Sequence, residues 1–172
     1  MRDNMPMNND ATRHLSEAWK TKFALLQKIG ADKTCLYPPV RSPEYKALSI
    51  KEKLNISFNP WALFFDWVYY LCKKMWLKGA FIIGATFLFY TLMTVLDALA
   101  GGVIPATLFW LPTPIICTQI ANHDYYRKII HHEEMWPGLP TIFSRPAGAI
   151  GFPLAAAGVF IAVSLTPIGV FP

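Results

Sequence analysis

From residue 79 to residue 122 the sequence has no lysine or arginine, and charge is scarce throughout. Charged residues make up 16% of the 172-residue chain, against roughly 25% in typical soluble domains, so an ordinary water-facing globule is not expected. Cysteine is equally sparse. Cys35, Cys72 and Cys117 are odd in number, widely scattered and without a CxxC pair, which argues against a disulfide framework and for reduced structural thiols. The first 22 residues lack an apolar core, so no cleavable signal peptide is expected. No HExxH, Gly-rich phosphate loop or defensible Ser-His-Asp order is present. Enzymatic chemistry and a bound cofactor are therefore not expected.

What is present is apolar: 53% of the residues are hydrophobic and 15% aromatic. Residues 79–96 run 18 positions without a charge, residues 98–122 run 25 and residues 146–172 run 27. A bilayer core about 30 Å thick calls for about 20 apolar helical residues, which predicts spans near 79–97, 103–121 and 147–168. Ala100-Gly101-Gly102 supplies the turn of a hairpin over 79–121, and Pro105, Pro112 and Pro114 interrupt its second leg. All 16 Lys and Arg fall on one side of these spans: 13 in residues 1–78, then Arg127, Lys128 and Arg145. The positive-inside rule then sets the N-terminus in the cytoplasm and the C-terminus outward.

Residues 1–56 form the cytoplasmic N-terminal region, its first nine residues polar and read as disordered. Leu15, Trp19, Phe23, Leu26 and Ile29 recur at spacings of three and four, predicting an amphipathic helix over about 12–29. Its stripe either packs on a small cytoplasmic domain, the favoured reading, or dips into the headgroup layer. Pro38, Pro39 and Pro43 make the next stretch a connector, and Ser49-Ile50-Lys51-Glu52 matches a capping box.

Residues 57–78 are aromatic and basic at once, with Trp61, Trp67, Tyr69, Tyr70, Lys73, Lys74 and Trp76. Trp and Tyr favour the membrane interface, and Lys snorkels to phosphates. Asp66 opposes a full crossing, because a carboxylate at bilayer centre costs about 2.5–3.5 kcal/mol. The segment is read as interfacial or shallowly inserted. Tyr125, Tyr126, Arg127 and Lys128 mirror it after the second span. Together the two groups are expected to form one collar on anionic lipid or an unidentified protein partner. Residues 122–146 read as a charge-balanced cytoplasmic loop. Its His131 and Glu134 could share a helical face, His123 is too distant to join them, and no metal site is expected. In the third span Ala147, Gly151, Ala155, Gly158 and Ala162 form a small-residue stripe suited to close helix packing, on the chain's own hairpin or on a second copy. The basic N-terminal region lacks a nucleic-acid motif, so no nucleic-acid partner is expected.

Phe58, Trp61-Ala62, Phe64-Phe65, Trp67, Tyr69-Tyr70 and Lys74-Met75-Trp76, with Ala121-Asn122 and Tyr125-Tyr126 further on, resemble an uncharacterised family of small bacterial inner-membrane proteins, domain of unknown function 2628. The resemblance covers roughly residues 57–130. The family usually carries Gly-Pro in the aromatic run where this chain has Phe65-Asp66. Membership implies a bacterial inner-membrane location and no particular activity. The expected fold is all-α: a polytopic membrane protein with about three transmembrane helices, an interfacial aromatic segment and a small helical cytoplasmic N-terminal region. The expected role is a non-enzymatic membrane-anchored binding or scaffold protein. The alternatives are an immunity protein against a membrane-targeting toxin or a small channel or transporter.

Overall fold

The computed structural model describes residues 12–34 and 37–166. Cys35, the polar first nine residues and the last residues of the expected third span lie outside the described residues. Within them every regular element is helical: α1 (Glu17–Lys28), α2 (Pro43–Lys46), α3 (Ile50–Ser57), α4 (Pro60–Cys72), α5 (Trp76–Leu99), α6 (Thr107–Trp110), α7 (Pro112–His131) and α8 (Pro146–Leu165), with short 3-10 turns at Ala31–Lys33 and Thr141–Ser144.

In α1, Glu17 lies in the first turn and Lys28 in the last, each suited to the helix dipole, and Gly30 at φ 78° stops the chain in the left-handed region. Leu15, Phe23, Leu26 and Ile29 are buried, and Trp19 meets Phe23 and Tyr125 edge-on at 5.8 and 4.7 Å. The stripe therefore packs on protein, against α3 and α7, and not on lipid. In α3 the capping box is formed: Ser49 Oγ accepts the Glu52 amide at 3.3 Å, and Glu52 accepts the Ser49 amide at 2.8 Å.

The aromatic segment folds back on itself. A straight helix of 13 residues would be about 20 Å long. Yet the Asn59 amide donates to the Thr118 carbonyl at 3.1 Å, and the Tyr70 hydroxyl donates to Asp124 at 3.0 Å. Those two α7 residues are only about 9 Å apart along the helix. Between them Asp66 breaks the helical path at φ 47°, ψ −124°, and its Oδ1 accepts the Cys117 thiol at 2.8 Å. These angles are those of the first central residue of a type II′ turn, a position glycine normally fills. Asp66 thus stands at a glycine-like turn, in the aromatic run where the resembling family carries Gly-Pro.

α5 and α8 pack side by side and run parallel. Phe81 stacks on Phe152 at 5.4 Å, and farther along both helices Phe87 and Tyr90 meet Phe160 at 5.9 and 6.1 Å. Phe152 lies over Gly84, where a Cβ would come within 2.5 Å of the ring. Pro153 sits inside α8 without ending it.

Four sequence expectations need correction. The hairpin over 79–121 is not a packed helix pair: α5 lies along α8, while α7 lies along α4. The segment 103–121 is not one helix, because irregular chain and the short α6 precede α7, which begins only at Pro112. Prolines at 105, 112 and 114 remove amide donors, so helix starts at a proline rather than running through it. Residues 122–146 are not a loop throughout, since α7 continues to His131 and ends at His132 with φ 53°. Neither glycine nor proline lies between Pro114 and Pro137 to stop it earlier, and its polar residues find partners on other elements. Finally, Ala147, Gly151, Ala155, Gly158 and Ala162 are all exposed and so do not pack on the chain's own hairpin, and the buried residues of α8 are Ala149 and Ala156. The bulky Phe152 and Phe160 set the contact with α5, which turns the small-residue stripe outward.

Candidate functional site

The C-terminal half of α7 is where polar chemistry is buried: Asn122, His123 and Asp124 are all 0% exposed. A buried polar group needs partners, and each of the three ties α7 to a different part of the chain. Asn122 Oδ1 accepts Asn59 Nδ2 at 2.9 Å, while its own amide donates to the carbonyls of Asn55, Ile56 and Phe58 at 3.1 to 3.3 Å. Asn59 in turn caps α4, accepting the Ala62 amide at 3.2 Å, and Thr118 Oγ1 donates to the Asn59 carbonyl at 2.6 Å. The α3–α4 joint is thereby fixed to one turn of α7.

Asp124 is the centre of a buried charge network. Its Oδ1 accepts Lys78 Nζ and Trp136 Nε1, each at 2.7 Å, and its Oδ2 accepts the Tyr70 hydroxyl. Lys78, in the first turn of α5, is also 0% exposed and reaches Glu133 Oε1 at 2.9 Å. Glu133 Oε2 accepts Arg127 at 2.6 Å, and Arg127 continues to the Thr34 carbonyl at 2.8 Å. The Lys78 ammonium also sits 5.3 Å from the Trp136 ring centre. Burial pushes the Asp124 carboxyl upward, and the Lys78, Trp136 and Tyr70 donors oppose that push. Three donors aimed at two oxygens fit a carboxylate, which only accepts. Both acids here are fully spent on protein partners.

His123 occupies a pocket of its own. Its Nε2 lies 3.1 Å from the Ala31 carbonyl, so Nε2 carries the proton and Nδ1 is left as a buried acceptor without a partner. Burial is the main cause that lowers its pKa from the ordinary value, the Ala31 carbonyl and Asp124 oppose it, and Arg127 and Lys78 add to it. Asp32 Oδ1 receives the Tyr126 hydroxyl at 2.8 Å and faces His131 Nε2 at 2.6 Å. His131 and Glu134 therefore do not meet over a shared ligand, and among the described residues no three His, Cys, Asp or Glu side chains converge on a metal position. Cys72 and Cys117 are free thiols.

The two aromatic–basic groups do come together. Lys73 Nζ stands 4.6 Å from the Tyr125 ring centre, 5.1 Å from that of Trp19 and 6.0 Å from that of Tyr69. Lys128 Nζ donates to the Lys73 carbonyl at 3.0 Å and to that of Lys74, closing the end of α4. Within this assembly the members divide. Tyr69, Tyr70, Tyr125 and Tyr126 are buried, whereas Trp61 and Trp76 are 65% and 61% exposed and Trp67 is more exposed than buried tyrosines nearby. The tyrosines join elements, and the tryptophans point away from the protein. The pairing of Lys78 with Asp124 and Glu133, and the joining roles of Asn59, Asn122 and Trp136, were not foreseen from sequence. The signal available was two lone charges, Lys78 and Asp124, each at the polar end of an apolar run.

A groove of about 660 Å³ opens between α5 and α7, beside this network. Phe81, Ile82, Ala85, Thr86 and Phe89 line one wall, Pro112, Thr113, Ile116, Cys117 and Ile120 the other, and Trp136 to Leu139 close one end. It exists because each of the two helices packs on a different partner.

The family match takes in most of this core, ending before Glu133 and Trp136. The chain is 25% identical over 122 residues to "Uncharacterized protein YigF" from Salmonella typhimurium strain LT2 and from Salmonella typhi, covering 71% of this chain and 90% of each relative. The protein of that name from Escherichia coli K12 is 23% identical over the same length. No solved structure matches the chain. The family described as "Protein of unknown function (DUF2628)" matches residues 11–130, a stretch that holds the aromatic turn, α5, α7, Asn122 and Asp124. The chain belongs to the DUF2628 family.

Proposed function

We propose that this is an integral protein of the bacterial inner membrane, a non-enzymatic membrane-anchored binding or scaffold protein with its N-terminus in the cytoplasm and its C-terminus outward. One observation carries the reading. α5 and α8 are apolar enough for membrane spans, yet only 17% and 11% of their most apolar stretches are buried within the protein. A helix in the core of a soluble domain would be mostly covered. Leaving faces such as Leu88, Leu92, Leu96, Ile150, Leu154 and Ile161 uncovered in water would be costly. In hydrocarbon it costs nothing.

At about 36 Å and 30 Å the two helices are long enough to cross a bilayer core. Their shared direction requires the chain to return between them, and residues 103–121 are the return leg, a third crossing broken at Pro112. α4 is then a re-entrant turn on the cytoplasmic side, its polar backbone covered by α7. Exposed Trp61, Trp67 and Trp76 anchor it in the interface, and of the collar Lys73, Lys74 and Lys128 face anionic headgroups or a cytoplasmic partner, Arg127 being held by Glu133. The saturation of Asp124 and Glu133 by protein donors supports a binding role over a catalytic one. Membrane fractionation tests the first part: the chain should stay with membranes after an alkaline carbonate wash, and release into the supernatant would overturn the proposal.

A further inference from the structure

We infer that the groove between α5 and α7 is a binding site for the hydrocarbon chain of a bilayer phospholipid, an inference that rests on the membrane reading above. No charged side chain lines the groove, so its occupant is uncharged over this length. Three of its five polar side chains already donate within the protein, and Thr113 and Tyr37 carry the other two hydroxyls. Thr86 donates to the Ile82 carbonyl at 2.8 Å, the Cys117 thiol donates to Asp66, and the Trp136 indole donates to Asp124. The volume lies within the range of roughly 300–1,000 Å³ usual for small-molecule sites.

The chemistry of the walls decides between occupants. A helix from a partner or a second copy gains nothing hydrophobic by leaving lipid, so its association needs interhelical hydrogen bonds or close small-residue packing. The Thr86, Cys117 and Trp136 donors are spent, and Phe81, Ile82, Phe89 and Ile116 keep another backbone at a distance. A lipid chain needs neither. It is present at solvent concentration, and it restores the dispersion contacts that an empty groove forfeits. The Trp136 ring forms part of the groove while its indole N–H holds Asp124, so the bound chain abuts the charge network directly.

The test uses the full chain reconstituted in vesicles of phosphatidylethanolamine and phosphatidylglycerol, with a small fraction of phosphatidylglycerol carrying a photoactivatable diazirine midway along one acyl chain. After illumination the labelled residues are mapped by mass spectrometry. Labelling at residues 81–89 and 112–120 should exceed that at outward Ile150, Leu154 and Ile161 by at least roughly fivefold, the ratio given by a preference near 1 kcal/mol. Ala85→Phe should fill the groove and remove that excess while leaving the α8 labels unchanged, which also reports that the fold survives. Ile116→Trp, from the opposite wall, should do the same independently. Even labelling of all lipid-facing residues, persistence of the excess in both variants, or crosslinked dimers through these residues would overturn the inference. A chain that fails to float with the vesicles would overturn the membrane reading with it, whereas a floated chain with an unlabelled groove sinks the groove alone.

Discussion

Lys78 and Asp124 meet at 2.7 Å where neither touches solvent, and removing one leaves the other without its buried partner. Lys78→Met keeps the length and apolar bulk of the side chain but strips the cation from Asp124 and Glu133. It should destabilise the protein by about 3–5 kcal/mol, read from unfolding in detergent micelles. The double variant Lys78→Met/Asp124→Leu should recover much of the loss, because replacing a whole buried pair by apolar groups is often close to neutral. If the double variant proves no better than the sum of the singles, the two groups are not coupled. His123 yields a prediction about pH. Its pKa is lowered in the folded protein by burial, so below its ordinary value of about 6.5 the unfolded chain binds the proton more readily. The stability it contributes is present above pH 6.5 or so and is lost as pH falls through the folded value. The melting temperature should therefore drop on going from neutral pH toward pH 5, and His123→Gln should flatten that drop. A drop of unchanged size in the variant would assign the acid sensitivity elsewhere.

Among the elements, α4 and α8 depend on local details that their composition conceals. Asp66 occupies a backbone conformation suited to glycine, and such strain costs on the order of 1–3 kcal/mol. Asp66→Gly should leave stability within about 1 kcal/mol of the parent, trading strain relief against the lost Cys117 bond, whereas β-branched Asp66→Val should lose at least about 2 kcal/mol. Equal effects would mean that the turn is not the constraint. In the α5–α8 pair the glycine that matters is Gly84, whose Cβ would strike Phe152, while Gly151 and Gly158 face open space. Gly84→Leu should separate the helices and lower the melting temperature sharply, and Gly151→Leu should leave it unchanged or raise it, glycine being costly within a helix. The sequence discloses elements better than partners. The α1 stripe, the Ser49 capping box and the two long apolar helices could be read from spacing. The reversal at Asp66 could not, because an aspartate stands where glycine would have announced the turn. The stripe on α8 does not meet the chain's own hairpin, because small-residue periodicity says which face permits close approach, not which face has a neighbour.

For the molecule as a whole, the account joins a solvent boundary to a charge boundary. Both long helices start at the level of Lys78 and Asp124 and continue away from it, and residues 79–122 and 146–172 hold no lysine or arginine. Charge asymmetry is the ground for the proposed placement of the termini. The network itself was not legible, since Lys78 looked like a snorkelling residue and Asp124 like part of a solvated loop. Both readings failed for one reason: α7 carries its polar residues back under the start of α5, and a long-range ion pair leaves no periodic trace. The most direct measurement is a pair of reporters fused after Pro172, alkaline phosphatase, active only outside the inner membrane, and a fluorescent protein that folds only in the cytosol. The account predicts phosphatase activity with a dark fluorescent fusion. A bright fluorescent fusion with inactive phosphatase would contradict it.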